Sequence, residues 1–513
     1  MRRPSPWAVL SAGALVLALA GVVSEFRNPV GGDPASLLFA AGRILDGARL
    51  YTDLIDLNPP FTFLFHTLPV VASRVLGLDS ILCFRVFVLC LVLLSGVTLW
   101  RVLRRAPISA GAWHALVAAF LLGSLGLVVG FFGEREHIQF VLVFPYLALA
   151  SLRTVGLKPS RSLVIVCGVL AGIGLALKVT AGLVPVLVLV LVLLWLGRRG
   201  RSDESLWALI TLAICTGSSL LWAPGYLAEV NQFGAFYRGF SGASITELLG
   251  RPPMVWPLVI APVLLLVGWQ VMRFRGGVAV WLVAGLGFVV SVLVQGKGFP
   301  YHYYPAIGCA ATATVLILAS GGIRSCRVDA WRRVLAGATL LIMPAPALLV
   351  ASQRLVATQQ VVDTFSEGSF EMLRDASPGT RVAIQSSRLA DAFPVGNVRR
   401  LQLTGRYPHL WFLYPYDSSA GGQPERIVPY ADSRLSPVER QLRRGTAEDL
   451  ARDRPELLLV RDPGSRRVVL RYLCDDTLYQ RAARSYRLVR SDTVMQLFRR
   501  DTSLQGAGAC ASS

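Results

Sequence analysis

The feature that most limits what this chain can fold into is a recurrence of long apolar runs. They cover residues 7–23, 81–100, 112–132, 138–152, 162–177, 179–196, 206–223, 254–272, 277–294, 305–322 and 334–351. A helix of about 20 residues crosses a hydrocarbon layer of about 30 Å, and in lipid only structures that satisfy their own backbone groups survive. About eleven transmembrane helices are therefore expected. One soluble core could not absorb the alternative, because 54% of the residues are hydrophobic and only 16% charged. The first run follows Met1-Arg2-Arg3 and has no small-residue cleavage site before Glu25, so it reads as an uncleaved anchor.

A net charge of +20 would point to nucleic acid in a soluble protein. Here the arginines fall in short loops between the runs: Arg101, Arg104 and Arg105; Arg153, Lys158 and Arg161; Arg198, Arg199 and Arg201; Arg273 and Arg275; Arg324, Arg327, Arg332 and Arg333. Basic residues mark cytoplasmic loops, so the charge reports orientation and no nucleic-acid partner is expected. The N-terminus is then cytoplasmic. Loops 24–80, 133–137, the surroundings of Lys178, 224–253 and 295–304 face outward, and the chain belongs in the cytoplasmic (inner) membrane. Residues 59–77 are apolar enough to tempt a twelfth span, but counting them would put a basic cluster outside. With Pro59, Pro60, Pro69, His66 and Arg74 they fit helices lying in the outer interface.

From residue 354 the composition shifts to charge, Pro and Gly with no spanning run, which divides the chain into a membrane domain, 1–353, and an extracytoplasmic domain, 354–513. In the latter, RVAIQ (381–385), LLLV (457–460) and VVLRYL (468–473) read as strands, and 369–376 and 436–454 as helices. Ser436 with Glu439 forms a capping-box signature. A small α/β fold follows. The sequence shows no fixed-period repeat and no Gly-rich phosphate loop. Cys83, Cys90, Cys167, Cys215 and Cys309 sit in spans as small apolar residues, whereas Cys474 and Cys510 share the outer compartment, either bridged or as a loose pair.

Polar groups concentrate in the long first outer loop, which holds Asp33, Asp46, Asp53 and Asp56. Asp33 follows Gly31-Gly32 and precedes the helix-like ASLLFAAGRIL. On residue type alone a helix N-cap is favoured over a catalytic base. Asp46 and Asp53 read as solvated turn residues, and Asp56, three residues after Asp53, is a candidate with it for a cation.

An acidic residue just past the first span, an amphipathic helix ending in Gly, then Leu50-Tyr51-Thr52-Asp53 and Asn58-Pro59-Pro60, resembles the first outer loop of the GT-C glycosyltransferases. These include the protein O-mannosyltransferases and the aminoarabinose transferase of lipid A. The resemblance covers roughly residues 1–350 and departs at Pro34, where many relatives have a second acid, and at Asn58, where some have Lys. It implies a multi-span enzyme that moves a sugar from a polyprenyl-phosphate carrier to an acceptor outside the membrane, with Asp33 as general base. The acceptor is a cell-envelope glycan, a lipid or a protein.

Gly133-Glu134-Arg135-Glu136-His137 places four ionisable groups at a tight turn between spans, either an interfacial salt-bridge cap or a functional motif. The GT-C resemblance implies a second acidic motif here. Glu134, Glu136 and His137 are then candidates for a divalent cation or for orienting the acceptor, and Arg135 for meeting phosphate.

Lysine usage adds evidence of its own. Among 51 basic residues only Lys158, Lys178 and Lys297 are lysines, so Arg is used wherever a generic cation suffices. Lys178 and Lys297 both sit at outer mouths, the latter beside Tyr301, His302, Tyr303 and Tyr304. Tyrosines at a span end commonly form an interface belt, which explains neither Lys297 nor His302. Together they read as a site for the donor's phosphate. The expected chemistry is inverting transfer: Asp33 takes the acceptor proton, and the lipid phosphate departs against Lys297, His302, Lys178 and Arg135. A transporter or lipid flippase is the rival reading, but its polar interruptions should lie near mid-bilayer in two matching halves.

Overall fold

The computed structural model describes residues 6–128, 130–196, 202–241, 243–251, 254, 274–320, 368–407, 409–416, 435–461, 468–501, 503 and 508–512. They group into two compact units. The first is built from the described residues of 1–28, 84–219 and 242–358, and the second from those of 29–83, 220–241 and 359–513.

The first unit is all helical. Its helices are α1 (Pro6–Arg27), the greater part of α4 (Ser80–Leu103), α5 (Ala110–Leu121), α6 (Arg135–Arg153), α7 (Arg161–Ala176), α8 (Leu183–Leu196), α9 (Asp203–Trp222) and the later helices Arg275–Gln295 and Tyr304–Ser320. Among the described residues, five helices are long and apolar enough to cross a membrane: Trp7–Arg27, Ser80–Leu103, Val179–Leu196, Asp203–Trp222 and Arg275–Gln295. The chain is a multi-pass membrane protein. The runs at 255–272 and 334–351 lie outside the described residues.

Helix α6 is the axis of this unit, buried from Arg135 to Leu152 and packed by α7, Arg275–Gln295 and Tyr304–Ser320. Lipid gives apolar helices little reason to associate, so close approach depends on small residues. On α7, a methyl added at Gly168 or Gly172 would lie 2.5 Å from Trp207 or Thr211 of α9. Two departures from regular helix bear on the site. The chain between α7 and α8 breaks at Lys178, which has extended backbone and precedes a 3-10 turn, Val179–Gly182. The end of α5 widens into a π turn, Leu122–Gly126. Widening of this kind frees carbonyls from the helical ladder.

The second unit gathers the first loop and the tail. Helices α2 (Gly32–Leu45) and α3 (Pro60–Leu76) pack on each other, and Arg74 reaches the Gly42 carbonyl and Asp46 at 3.1 and 2.9 Å. The 59–77 segment is thus a single helix grouped with the loop and tail. A cut by composition at residue 353 does not reveal this grouping, because loop and tail share a core that includes Ile55, Phe233, Trp411, Leu442 and Leu458.

The tail carries a five-stranded sheet of order β2-β1-β3-β5-β4. The strands are β1 (Arg381–Gln385), β2 (Gln402–Leu403), β3 (Leu457–Arg461), β4 (Tyr486–Ser491) and β5 (Met495–Arg500). Strands β1, β2 and β3 run parallel, and β5 is antiparallel to β3 and β4. The expected strands at 381–385 and 457–460 are present, and so is the capping box, with Ser436 and Glu439 closing helix Pro437–Asp453. The VVLRYL segment, expected as a strand, forms helix Val468–Cys474 instead. Val469, Leu470, Tyr472 and Leu473 are buried, a spacing of one, three and four that suits a helix face, and short apolar runs do not separate the two periods. The 369–376 helix is shorter than expected, spanning 368–372 before a turn. Cys474 and Cys510 are disulfide-bonded.

Candidate active site

In the first unit three widely separated segments converge. Gly133 turns the chain with φ +80°, and Glu134 enters α6 with extended backbone as its N-cap, its own side chain making no capping bond. Arg135 and Glu136 then stand in the first turn, both buried. The Glu136 Oε1 atom accepts a hydrogen bond from Lys178 Nζ at the break after α7, and His302 Nε2 lies 3.6 Å from the same oxygen. Glu136 is only 2% exposed, and its Oε2 has no hydrogen-bond partner among the described residues. His302 sits in the 3-10 turn Pro300–Tyr303, its Nδ1 2.9 Å from the Lys297 carbonyl oxygen. The Tyr301 ring stacks on Phe299 and lies 5.9 Å from Lys178 Nζ.

The structure therefore brings together Glu136, Lys178 and His302, with Lys297 joined through its backbone. Two features differ from the expectation. Lys178 is paired with a carboxylate, so one of the proposed phosphate ligands already has an internal counter-ion. His137 is turned away from this group. Its Nδ1 accepts from the Gly133 N–H at 3.1 Å, which leaves Nε2 as the donor to the Ser124 carbonyl at 2.8 Å. That carbonyl belongs to the π turn, whose Gly123 carbonyl accepts from Tyr304. With both ring nitrogens committed to backbone, His137 shapes the turn and is not arranged as a metal ligand. Among the described residues no group of three or more His, Cys, Asp or Glu side chains is gathered as a metal site needs.

In the second unit Asp33 stands in the first turn of α2. Gly31 is the N-cap, and the Asp33 carbonyl accepts from Ser36 Oγ at 2.8 Å. A carboxylate here is stabilised by the helix dipole, but the capping position itself is occupied by Gly31. The start of α2 is held by the tail. Asn397 Nδ2 donates to the Ala35 carbonyl at 3.1 Å, and the Phe39 and Phe393 rings lie 5.5 Å apart. Further along the loop, Ile55 N–H donates to the Arg406 carbonyl at 2.8 Å.

The other aspartates fill structural places. Asp46 is bound to Arg74. Asp53 accepts from Arg49 at 3.1 Å on the surface, a side-chain bond that holds its carboxyl below the usual range. Asp56 Oδ1 accepts from the Asn58 N–H at 2.8 Å, a turn motif, so Asp53 and Asp56 are committed to different partners. Tyr51, with φ +65°, donates to the Asn58 carbonyl at 2.6 Å and thereby fixes the turn ahead of Pro59-Pro60.

One residue escaped the sequence reading. Helix α10 (Gly225–Ser241) turns Tyr226, Glu229 and Phe233 inward, at spacings of three and four. Glu229 thus interrupts an apolar face. It is 6% exposed, its Oε1 has no hydrogen-bond partner among the described residues, and burial, then Asp56, pushes its carboxyl up to about 7. The available signal was the helical period itself, which puts a Glu among aromatics.

The sign of its effect follows from linkage. The folded protein keeps this proton up to about pH 7, while the unfolded chain releases it near the ordinary carboxyl value of 4.5, so stability falls as pH rises through that window. Glu229→Gln should melt with the wild type at about pH 5 and above it at about pH 8, read by thermal unfolding in detergent. Equal melting temperatures at both values would show that Glu229 ionises freely.

Comparison with known proteins extends the resemblance read in the first loop. No protein-family model matches the chain, and no curated protein matches it in sequence. Among solved structures it is similar to ArnT from Cupriavidus metallidurans in the apo state, with a TM-score of 0.55 and 14% identity over 98% of this chain and 98% of that one. The arabinofuranosyltransferase AftD from Mycobacteria matches with a TM-score of 0.43 and 15% identity, over 97% of this chain and 42% of that one. The chain is a multi-pass membrane protein whose fold is similar to that of ArnT over nearly its whole length.

Proposed function

We propose that this protein is an inverting glycosyltransferase that takes a sugar from a polyprenyl-phosphate donor in the membrane and passes it to an extracytoplasmic acceptor. The observation that carries the reading is the convergence of Lys178 and His302 on Glu136 at the buried start of α6, with the Lys297 carbonyl bound to His302. Two of the chain's three lysines, with one of its five histidines, come from segments far apart in sequence to one polar cluster. A fold shared with ArnT supports the same class.

In this reading Asp33 removes the acceptor's proton as its oxygen attacks the anomeric carbon. The bond from that carbon to the phosphate oxygen breaks, and the phosphate leaves with the electron pair. Lys178, Lys297, His302 and Arg135 balance its charge. A single base without a carboxylate nucleophile gives inversion. No step calls for a metal. The acceptor is a cell-envelope glycan, lipid or protein. The test is to supply purified protein with polyprenyl phosphosugars of several pentoses and hexoses and to follow release of polyprenyl phosphate. Release from none of them by folded protein would overturn the reading.

The proposed orientation has its own check. Leu78 and Leu488 are exposed at 48% and 44%. Leu78→Cys and Leu488→Cys should both react with an impermeant maleimide added outside intact cells. Labelling of either only after permeabilisation would reverse the assigned sidedness.

A further inference from the structure

Within the second unit, one face of α2 belongs to the tail. Gly32, Ala35, Phe39 and Arg43 follow one another at spacings of three and four, which puts them in a single stripe along the helix. The tail meets that stripe at every position. A methyl added at Gly32 would lie 3.4 Å from Leu389 Cδ2 and 3.7 Å from the Phe393 carbonyl oxygen. The Ala35 carbonyl accepts from Asn397, the Phe39 ring meets that of Phe393, and Arg43 Nη1 donates to the Leu403 carbonyl at 3.5 Å. The first three contacts come from the segment 389–397, between β1 and β2.

That segment is tied to the sheet by a buried charge pair. Just after β1, the Ser386 hydroxyl donates to Asp391 Oδ2 and accepts from the Arg388 N–H at 3.0 Å. At the end of β3, Arg461 Nη1 donates to both oxygens of Asp391, at 3.0 and 3.2 Å. Asp391 is only 1% exposed. Desolvation cancels much of what a buried ion pair gains, so the pair is weak evidence for stability and calls for another use.

Resting on the function proposed above, we propose that Asp391, together with Arg461 and Asn397, is a positioning residue for Asp33. The charge pair fixes the 389–397 segment at the carboxyl ends of β1 and β3, and the segment fixes the rotation of α2 about its own axis. Asp33 follows Gly32 by one residue, about 100° around the helix, so the face gripped by the tail determines where the neighbouring carboxylate points. A general base must lie within hydrogen-bond reach of the proton it takes, and a misplacement of about 1 Å can cost about a hundredfold in rate. The tail then serves catalysis without touching the reacting atoms.

The test compares full-length wild type, Asp391→Asn and Asn397→Ala. Transfer rate at saturating donor and acceptor, donor affinity, and hydrogen exchange along α2 and the sheet would be measured on each. Both variants should lose roughly ten- to a hundredfold in saturating rate while binding the donor as wild type does. Amides in the first two turns of α2 should exchange faster, and those of β1 and β3 should keep their protection. Asn397→Ala leaves the charge pair in place, so its arm does not depend on how the tail folds without that pair. A wild-type saturating rate in Asn397→Ala would overturn the proposal, and so would a donor affinity that falls as far as the rate. A wild type that transfers no sugar at all would instead overturn the function reading, and the role of Asp33 with it, whatever the exchange pattern.

Discussion

Asp33→Asn should abolish sugar transfer while leaving the protein folded and its donor binding intact. The amide keeps the size of the side chain but cannot take a proton at neutral pH, and loss of a general base costs roughly a hundred- to ten-thousand-fold in rate. Gly31 is the N-cap of helix α2, and Asn397, with Phe393 against Phe39, holds the start of the helix. The amide forfeits the interaction of a carboxylate with the helix dipole, about 0.3 to 1 kcal/mol. Transfer rate and thermal melting measured on the same preparation separate the two roles. A variant with near-normal rate would reduce Asp33 to a residue that merely suits a helix start.

The second large effect is on donor use. Lys297→Ala should raise the lipid-phosphosugar concentration needed for half-maximal rate by roughly ten- to a hundred-and-fifty-fold, the equivalent of about 1.5 to 3 kcal/mol for a charge-assisted contact. Acceptor dependence should change far less. Lys297 is buried, and its carbonyl oxygen lies 2.9 Å from His302, so its position in the cluster is set by the backbone and survives truncation of its side chain. Lys297→Arg should retain much of the function if only charge counts, and little if the space admits an ammonium alone. Rates against donor concentration for the three proteins decide the matter, and an unchanged donor dependence in the alanine variant would return this loop to an aromatic belt with a buried lysine.

How far the sequence could be read depended on whether a feature was local. Among the described residues the apolar runs lay where helices formed, because hydrophobicity over a sufficient length is a local property. The capping box at Ser436 and Glu439 was legible because its partners are three residues apart. The rarity of lysine drew attention to Lys178 and Lys297, and the structure gathers the first, with the backbone of the second, at one cluster. Pairing across the chain was not legible. The separation of 42 positions between Glu136 and Lys178 hides an ion pair that changes what Lys178 is for. The same distance effect concealed the tail's hold on α2, which joins residues 362 positions apart. His137 looked equivalent to Glu136 in the motif, but successive helical residues point about 100° apart, and only one of the two meets Lys178. The strand expected at 468–473 failed for a different reason, since six apolar-rich residues satisfy either period until their neighbours are known.

The most direct test of the account is the stoichiometry and stereochemistry of transfer by the purified protein. A polyprenyl phosphosugar of defined anomeric configuration would be incubated with envelope acceptors, and the lipid and glycosylated products resolved by mass spectrometry and NMR. The account predicts one polyprenyl phosphate released for each sugar transferred, the new bond inverted at the anomeric carbon, and neither product formed by Asp33→Asn. Retention of configuration, or movement of the intact lipid-linked sugar across the membrane without cleavage, would contradict it.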